Sequence, residues 1–127
     1  MITFKKVKVC FLLFFIFVNI FYIEPCFSYS LREDLFKNAL DLSSGGEFNL
    51  ALQEWNRYLD SYPNDAAGLS NRGNVRLVLG DLEGSIDDQN KAISLNPGEI
   101  DPYINRGIAE EASVSYTHLT LPTILRV

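Results

Sequence analysis

The side chains with catalytic potential in this 127-residue chain are few and poorly placed for joint action. Its two cysteines are Cys10 and Cys26, and its single histidine is His118. Adjacent acids occur at Asp87-Asp88 and at Glu110-Glu111. Neighbouring residues on a helix diverge by about 100°, so neither pair aims two carboxylates at one substrate. Both pairs read as solvated helix faces. Gly45-Gly46 is too short for a phosphate-cradling loop and reads as a turn between helices. These residues predict neither a catalytic centre nor a metal site, so the chain is expected not to be an enzyme and to need no cofactor.

The cysteines and the histidine fall in two end segments that read differently from the middle. Met1 to Lys8 carries three lysines and no acid, and Val9 to Ile23 is an apolar run broken only by Asn19. Glu24-Pro25 ends the run, and Cys26-Phe27-Ser28 places small residues where a signal peptidase reads. This order predicts a secretory signal peptide over residues 1–28, cut after Ser28 to leave Tyr29 first. The alternative is a retained membrane anchor. An apolar run from Val9 to Ile23 reaches roughly 22 Å as a helix, short of the roughly 30 Å hydrocarbon core. Cleavage removes both cysteines. The destination is then an exported one: periplasm, thylakoid lumen or extracellular space, with membrane attachment only if the signal stays.

At the other end, Val114 to Thr123 reads Val-Ser-Tyr-Thr-His-Leu-Thr-Leu-Pro-Thr. Those residues resemble, in order, the in-frame translation of a transposase-type sequencing-library adapter. Residues 113–127 are therefore read as a non-native tail and carry no functional argument, His118 included.

Between these ends, residues 29–112 hold seven Lys and Arg against fifteen Asp and Glu. So acidic a segment offers nothing to offset phosphate repulsion, and a nucleic-acid partner is not expected.

This middle segment must position whatever chemistry remains, and it is periodic. Asn71-Arg72-Gly73 recurs as Asn105-Arg106-Gly107 at a spacing of 34 residues. At the same spacing Leu35, Leu69 and Tyr103 align, as do Ala39, Gly73 and Gly107, Gly46 and Gly80, and Pro63 and Pro97. A fixed period of this size marks a stacked repeat array. Each unit reads as two helices. Ser30 and Glu33 form a capping box before Leu31, Leu35, Ala39 and Leu42. Phe48, Ala51, Leu52, Trp55 and Leu59 follow the stripe of an amphipathic helix that ends at Tyr62-Pro63-Asn64-Asp65. The second unit repeats the plan over Ala66 to Leu79 and Leu82 to Leu95, and Asp101-Pro102 opens a third.

The pattern of Leu35, Ala39, Gly46, Ala51, Trp55 and Pro63, then Leu69, Gly73, Gly80, Ala92 and Pro97, resembles the tetratricopeptide repeat. That resemblance implies an all-α right-handed solenoid of antiparallel helix pairs. The units are 32–65, 66–99 and a truncated 100–112, two complete and part of a third. Arg72, Arg76, Arg106, Ser85 and Gln89 depart from the usual apolar or aromatic choices and thin the core of unit two. The three arginines are expected to cover that core with their stems and pair with acids such as Asp101 and Glu110.

The resemblance also implies a concave groove lined by the first helix of each unit. Lys37, Asn71, Asn74 and Asn105 face it, with Phe36, Ser70 and Ile104 beside them. Side-chain amides bond an extended peptide's backbone without selecting its side chains, and Lys37 suits a carboxylate. Relatives that clamp acidic chaperone tails carry more basic groove residues, where this chain has Asp101 and Ile104. The expected function is an exported scaffold for a protein or peptide partner. The alternative is the N-terminal repeat part of a larger enzyme or membrane-associated factor whose catalytic region lies beyond this sequence.

Overall fold

The computed structural model describes residues 30–120, and the residues read as a signal peptide and the last seven residues lie outside that range. By contact the chain divides into two units, Met1–Asp34 and Leu35–Val127. Of the first, only residues 30–34 are described, and they are helical. The second contains the packed helices.

Five helices follow one another among the described residues: α1 over residues 30–44, α2 (Phe48–Ser61), α3 (Ala66–Leu79), α4 (Leu82–Leu95) and α5 (Asp101–Thr120). None is long and apolar enough to cross a membrane. Helix α2 packs on α3, α3 on α4, and α5 on both α4 and α3. Residue 30 is already helical, which puts Ser30 inside α1 and not at its cap. Leu31, expected on the apolar face, is exposed. At the other end, α5 continues past the break expected at Ala112, because no glycine or proline interrupts the chain between Gly107 and Pro122.

The turns inside the two helix pairs are built identically. Gly46 and Gly80 have φ of 80° and 85°, the left-handed conformation that terminates a helix at little cost only for glycine. The next amide reaches back five residues in both, Glu47 N–H to Leu42 C=O at 3.0 Å and Asp81 N–H to Arg76 C=O at 2.9 Å. Carboxylates cap the following starts. Asp65 accepts the Gly68 amide at 2.8 Å and Asp81 accepts the Gly84 amide at 3.0 Å.

The core follows the expected stripe, with an addition. Ala39, Ala51, Trp55, Leu59, Leu69, Val75 and Ala92 are buried, and so is Tyr58, whose ring joins Phe36 and Trp55 in edge-to-face contacts. Small residues stand where helices cross. A Cβ at Gly73 would lie 2.6 Å from Gln89 Nε2 and 3.2 Å from Asp88 Cβ. Gly73→Leu is therefore expected to destabilise the fold by about 1–3 kcal/mol through overpacking. Urea titration followed by helical circular dichroism measures this, and a midpoint equal to the parent's would refute it.

Between α3 and α4 the core is not thinned but filled with polar groups. Asp88, expected on a solvated face, is buried, while its neighbour Asp87 is exposed. The correction has a simple geometric cause. A 100° step between adjacent residues sends Asp87 outward and Asp88 into the seam, where two arginines of α3 wait. Arg72 grips Asp88 with two parallel bonds, Nε to Oδ2 at 2.8 Å and the terminal nitrogen to Oδ1 at 2.6 Å. Arg76 donates to Asp88 at 3.0 Å and to the Gly84 carbonyl at 3.1 Å. The arginines are thus paired as expected, though the acid for Arg72 and Arg76 is Asp88 and not Asp101. Arg106 does meet Glu110, at 3.5 Å.

Candidate functional site

Helices α3 and α5 are the first helices of successive units, so residues 34 apart on them present the same register. Asn71 and Asn105 are such a pair. Together with Asn74 they line a cleft of about 340 Å³ whose other walls are Ala66, Ala67, Ser70, Asn96, Glu99, Asp101 and Pro102. The alanines and Ser70 keep the α3 wall low, so a backbone can approach it closely.

The floor is held from behind. Gln89, fully buried on α4, donates from Nε2 to the Ser70 carbonyl at 3.0 Å and so ties the α3 wall to the next helix. Asn71 donates from Nδ2 to the Ala67 carbonyl at 2.9 Å, one turn back on its own helix. That bond fixes the amide plane and leaves Oδ1 and the second N–H directed for other partners. The rim is acidic. Glu99 and Asp101 are the only charged residues lining the cleft, which favours neutral or basic groups over carboxylates.

Three of the four sequence candidates, Asn71, Asn74 and Asn105, line this cleft. Lys37 occupies the same register on α1 and is exposed, but it is not among the lining residues. Ser70 lines the wall, whereas Ile104 is exposed outside it. Phe36 lies with its ring 5.1 Å from that of Trp55 and 5.4 Å from that of Tyr58, packed against the core. Sequence reasoning missed Ala67, Asn96 and Glu99 as site residues. Ala67 precedes Asn71 by one helical turn, so helical periodicity could have found it. Asn96 and Glu99 arrive from the loop between α4 and α5, which has no period to read.

The resemblance is borne out by comparison with known proteins. No family model matches the chain. The zebrafish (Danio rerio) protein "Tetratricopeptide repeat protein 36" is 31% identical over 67 residues, a stretch covering 53% of this chain and 36% of that relative. The chain thus spans about a third of that relative's length. Among solved structures, the Arabidopsis OM64 TPR domain superposes with a TM-score of 0.65 at 22% identity, covering 69% of this chain and 73% of that one. The TPR2B domain of yeast Sti1, in a pHsp70 complex, gives a TM-score of 0.63 at 25% identity, with 68% and 70% covered. The first TPR of Spaghetti (RPAP3), bound to the HSP90 peptide SRMEEVD, gives 0.61 at 22% identity, with 64% of each chain covered.

Proposed function

Because the chain is a tetratricopeptide-repeat protein, we propose that it is a non-catalytic scaffold whose cleft between α3 and α5 binds an extended peptide of a protein partner. The observation that carries this reading is the convergence of Asn71, Asn74 and Asn105 on one cleft. Structural neighbours in the yeast Sti1 and Spaghetti complexes hold peptides, which supports the class of ligand. The acidic rim supports a different choice of peptide from the SRMEEVD sequence. A neutral or lysine-bearing segment escapes repulsion by Glu99 and Asp101, and the amides address its backbone.

The test is a panning of displayed linear peptides, followed by fluorescence anisotropy with those enriched. Asn71→Ala and Asn105→Ala are each expected to weaken binding about tenfold, since each removes a hydrogen bond worth roughly 1–1.5 kcal/mol. Enriched peptides are expected to outbind SRMEEVD by at least tenfold. Peptides that bind the two alanine variants as tightly as the parent would place the ligand elsewhere and overturn the reading.

The same reading includes export. The basic, apolar and small-residue order of residues 1–28 supports it. Protein made in a secreting host and sequenced from its N-terminus is expected to begin at Tyr29, whereas material beginning at Met1 in the membrane fraction would favour a retained anchor.

A further inference from the structure

The face of α5 that carries Arg106 and Gly107 repeats the face of α3 that carries Arg72 and Gly73, and the repetition extends to contacts. Arg72 donates to Asn56 Oδ1 at 3.0 Å, and Arg106, 34 residues on, donates to Asn90 Oδ1 at 2.9 Å. On α3 the rest of the guanidinium closes on Asp88 of the next helix, and Gly73 is buried against Gln89. On α5 the same positions are open. Among the described residues nothing lies within 4 Å of a Cβ at Gly107, and Tyr103 and Ile104 are exposed beside it. Arg106 is nonetheless already held, by Asn90, by the Tyr103 ring 5.7 Å from Cζ, and by Glu110 at 3.5 Å.

We propose that this face of α5 docks an amphipathic helix of α4's type supplied by a partner protein. Its chemistry is set by what α4 presents to α3. A small residue stands at the position of Ser85, and a carboxylate at that of Asp88, one turn on, meets the forked edge of the arginine. One difference sharpens the specificity. Where α3 has Arg76, α5 has Glu110. Arg76 reaches the Gly84 carbonyl and Asp88, so a helix suited to α5 carries a base at the position of Gly84 to answer Glu110. The motif is a base followed by a small residue, then a carboxylate three residues later. This surface is distinct from the peptide cleft, and its occupation does not depend on that reading.

The probe is a labelled synthetic peptide of this chain's own Asp81–Asn96 carrying Gly84→Lys, titrated into the full protein by fluorescence anisotropy. Saturable one-to-one binding is expected, at least tenfold tighter than for a scrambled peptide. On the protein, Gly107→Leu fills the open face without a clash and is expected to weaken binding tenfold or more. Asp88→Asn in the peptide is expected to weaken binding to the parent protein but not to its Arg106→Gln variant. Glu110→Gln should erase the advantage of Gly84→Lys. Binding indifferent to Gly107→Leu, or no better than the scrambled peptide, would overturn the proposal. So would self-association of the protein that Gly107→Leu abolishes, which would make a second copy the occupant.

Discussion

Asp88→Ala is expected to destabilise the fold by about 3–5 kcal/mol, read as the fall in unfolding free energy from urea titration of the helical circular dichroism signal. The carboxylate is almost fully buried, at 5% side-chain exposure, and it is the common acceptor for two guanidiniums from α3. Removing it leaves Arg72 and Arg76 facing each other across the seam with their desolvation cost uncompensated. Arg76 retains Asp81 at 3.6 Å and Arg72 retains Asn56, so the loss falls on the bonds that tie α3 to α4. Typical domains have only about 5–15 kcal/mol in total, so this single change consumes much of the fold's stability. A control separates the buried charge from the packing. Arg72→Leu, Arg76→Leu and Asp88→Leu made together remove charge and partner at once and should recover most of the loss, because a buried ion pair roughly breaks even against apolar groups of similar volume. A triple variant as unstable as Asp88→Ala would show that the site needs those charges for reasons other than mutual compensation.

The reason sequence reading placed the repeats but misplaced Asp88 is visible in the register. Helix boundaries, turns and the crossing residues Ala39 and Gly73 recur every 34 positions, and recurrence is a signal that one sequence can display. The Arg72–Asp88 pair does not recur. The equivalents of these residues in unit one are Asn38 and Glu54, so no period connects the two charges, and Asp88 reads like any acid on a helix. Gln89 shows the same blindness. It stands where unit one has Trp55, and its use as a tie to the Ser70 carbonyl depends on how closely Gly73 lets α4 approach. The cleft is legible to the extent that it is periodic. Asn71 and Asn105 share a register and line it, whereas Glu99 and Asn96 enter from a loop whose path is set by tertiary packing. Lys37 fits the register and still stands apart, since sharing a position in the repeat does not place a residue in a cleft formed by the next two first helices.

Trp55→Ala is expected to cost about 3–5 kcal/mol as well, by a different physical route. Unit one has an aromatic cluster where unit two has its polar network. Trp55 is fully buried, with its ring at 85° to Phe36 and 88° to Tyr58 at centroid separations of 5.1 and 5.8 Å. Such edge-to-face pairs contribute beyond the area they bury. The indole N–H donates to Ser43 Oγ at 2.9 Å, and that hydroxyl donates on to the Ala39 carbonyl at 2.8 Å, so the side chain also fixes the end of α1. The cavity left by alanine would be walled by two rigid rings and helix backbone, which limits collapse and places the cost toward the upper end. The damage should spread along one path. Tyr58 packs on Trp55 and donates through its hydroxyl to Asp65, the carboxylate that caps α3 through the Gly68 amide. A Tyr58 ring that shifts into the vacated space releases that bond and loosens the start of α3, which forms one wall of the cleft. Hydrogen exchange read residue by residue distinguishes the two consequences. Protection should fall uniformly if only global stability is lost, and should fall further at Gly68 and Leu69 if the cap is loosened. Trp55→Phe keeps most of the ring contact and gives up the bond to Ser43, so it should cost about 1–2 kcal/mol and leave the α3 cap protected. Equal loss of protection at Gly68 in the two variants would break the proposed link from the aromatic cluster to the cleft wall.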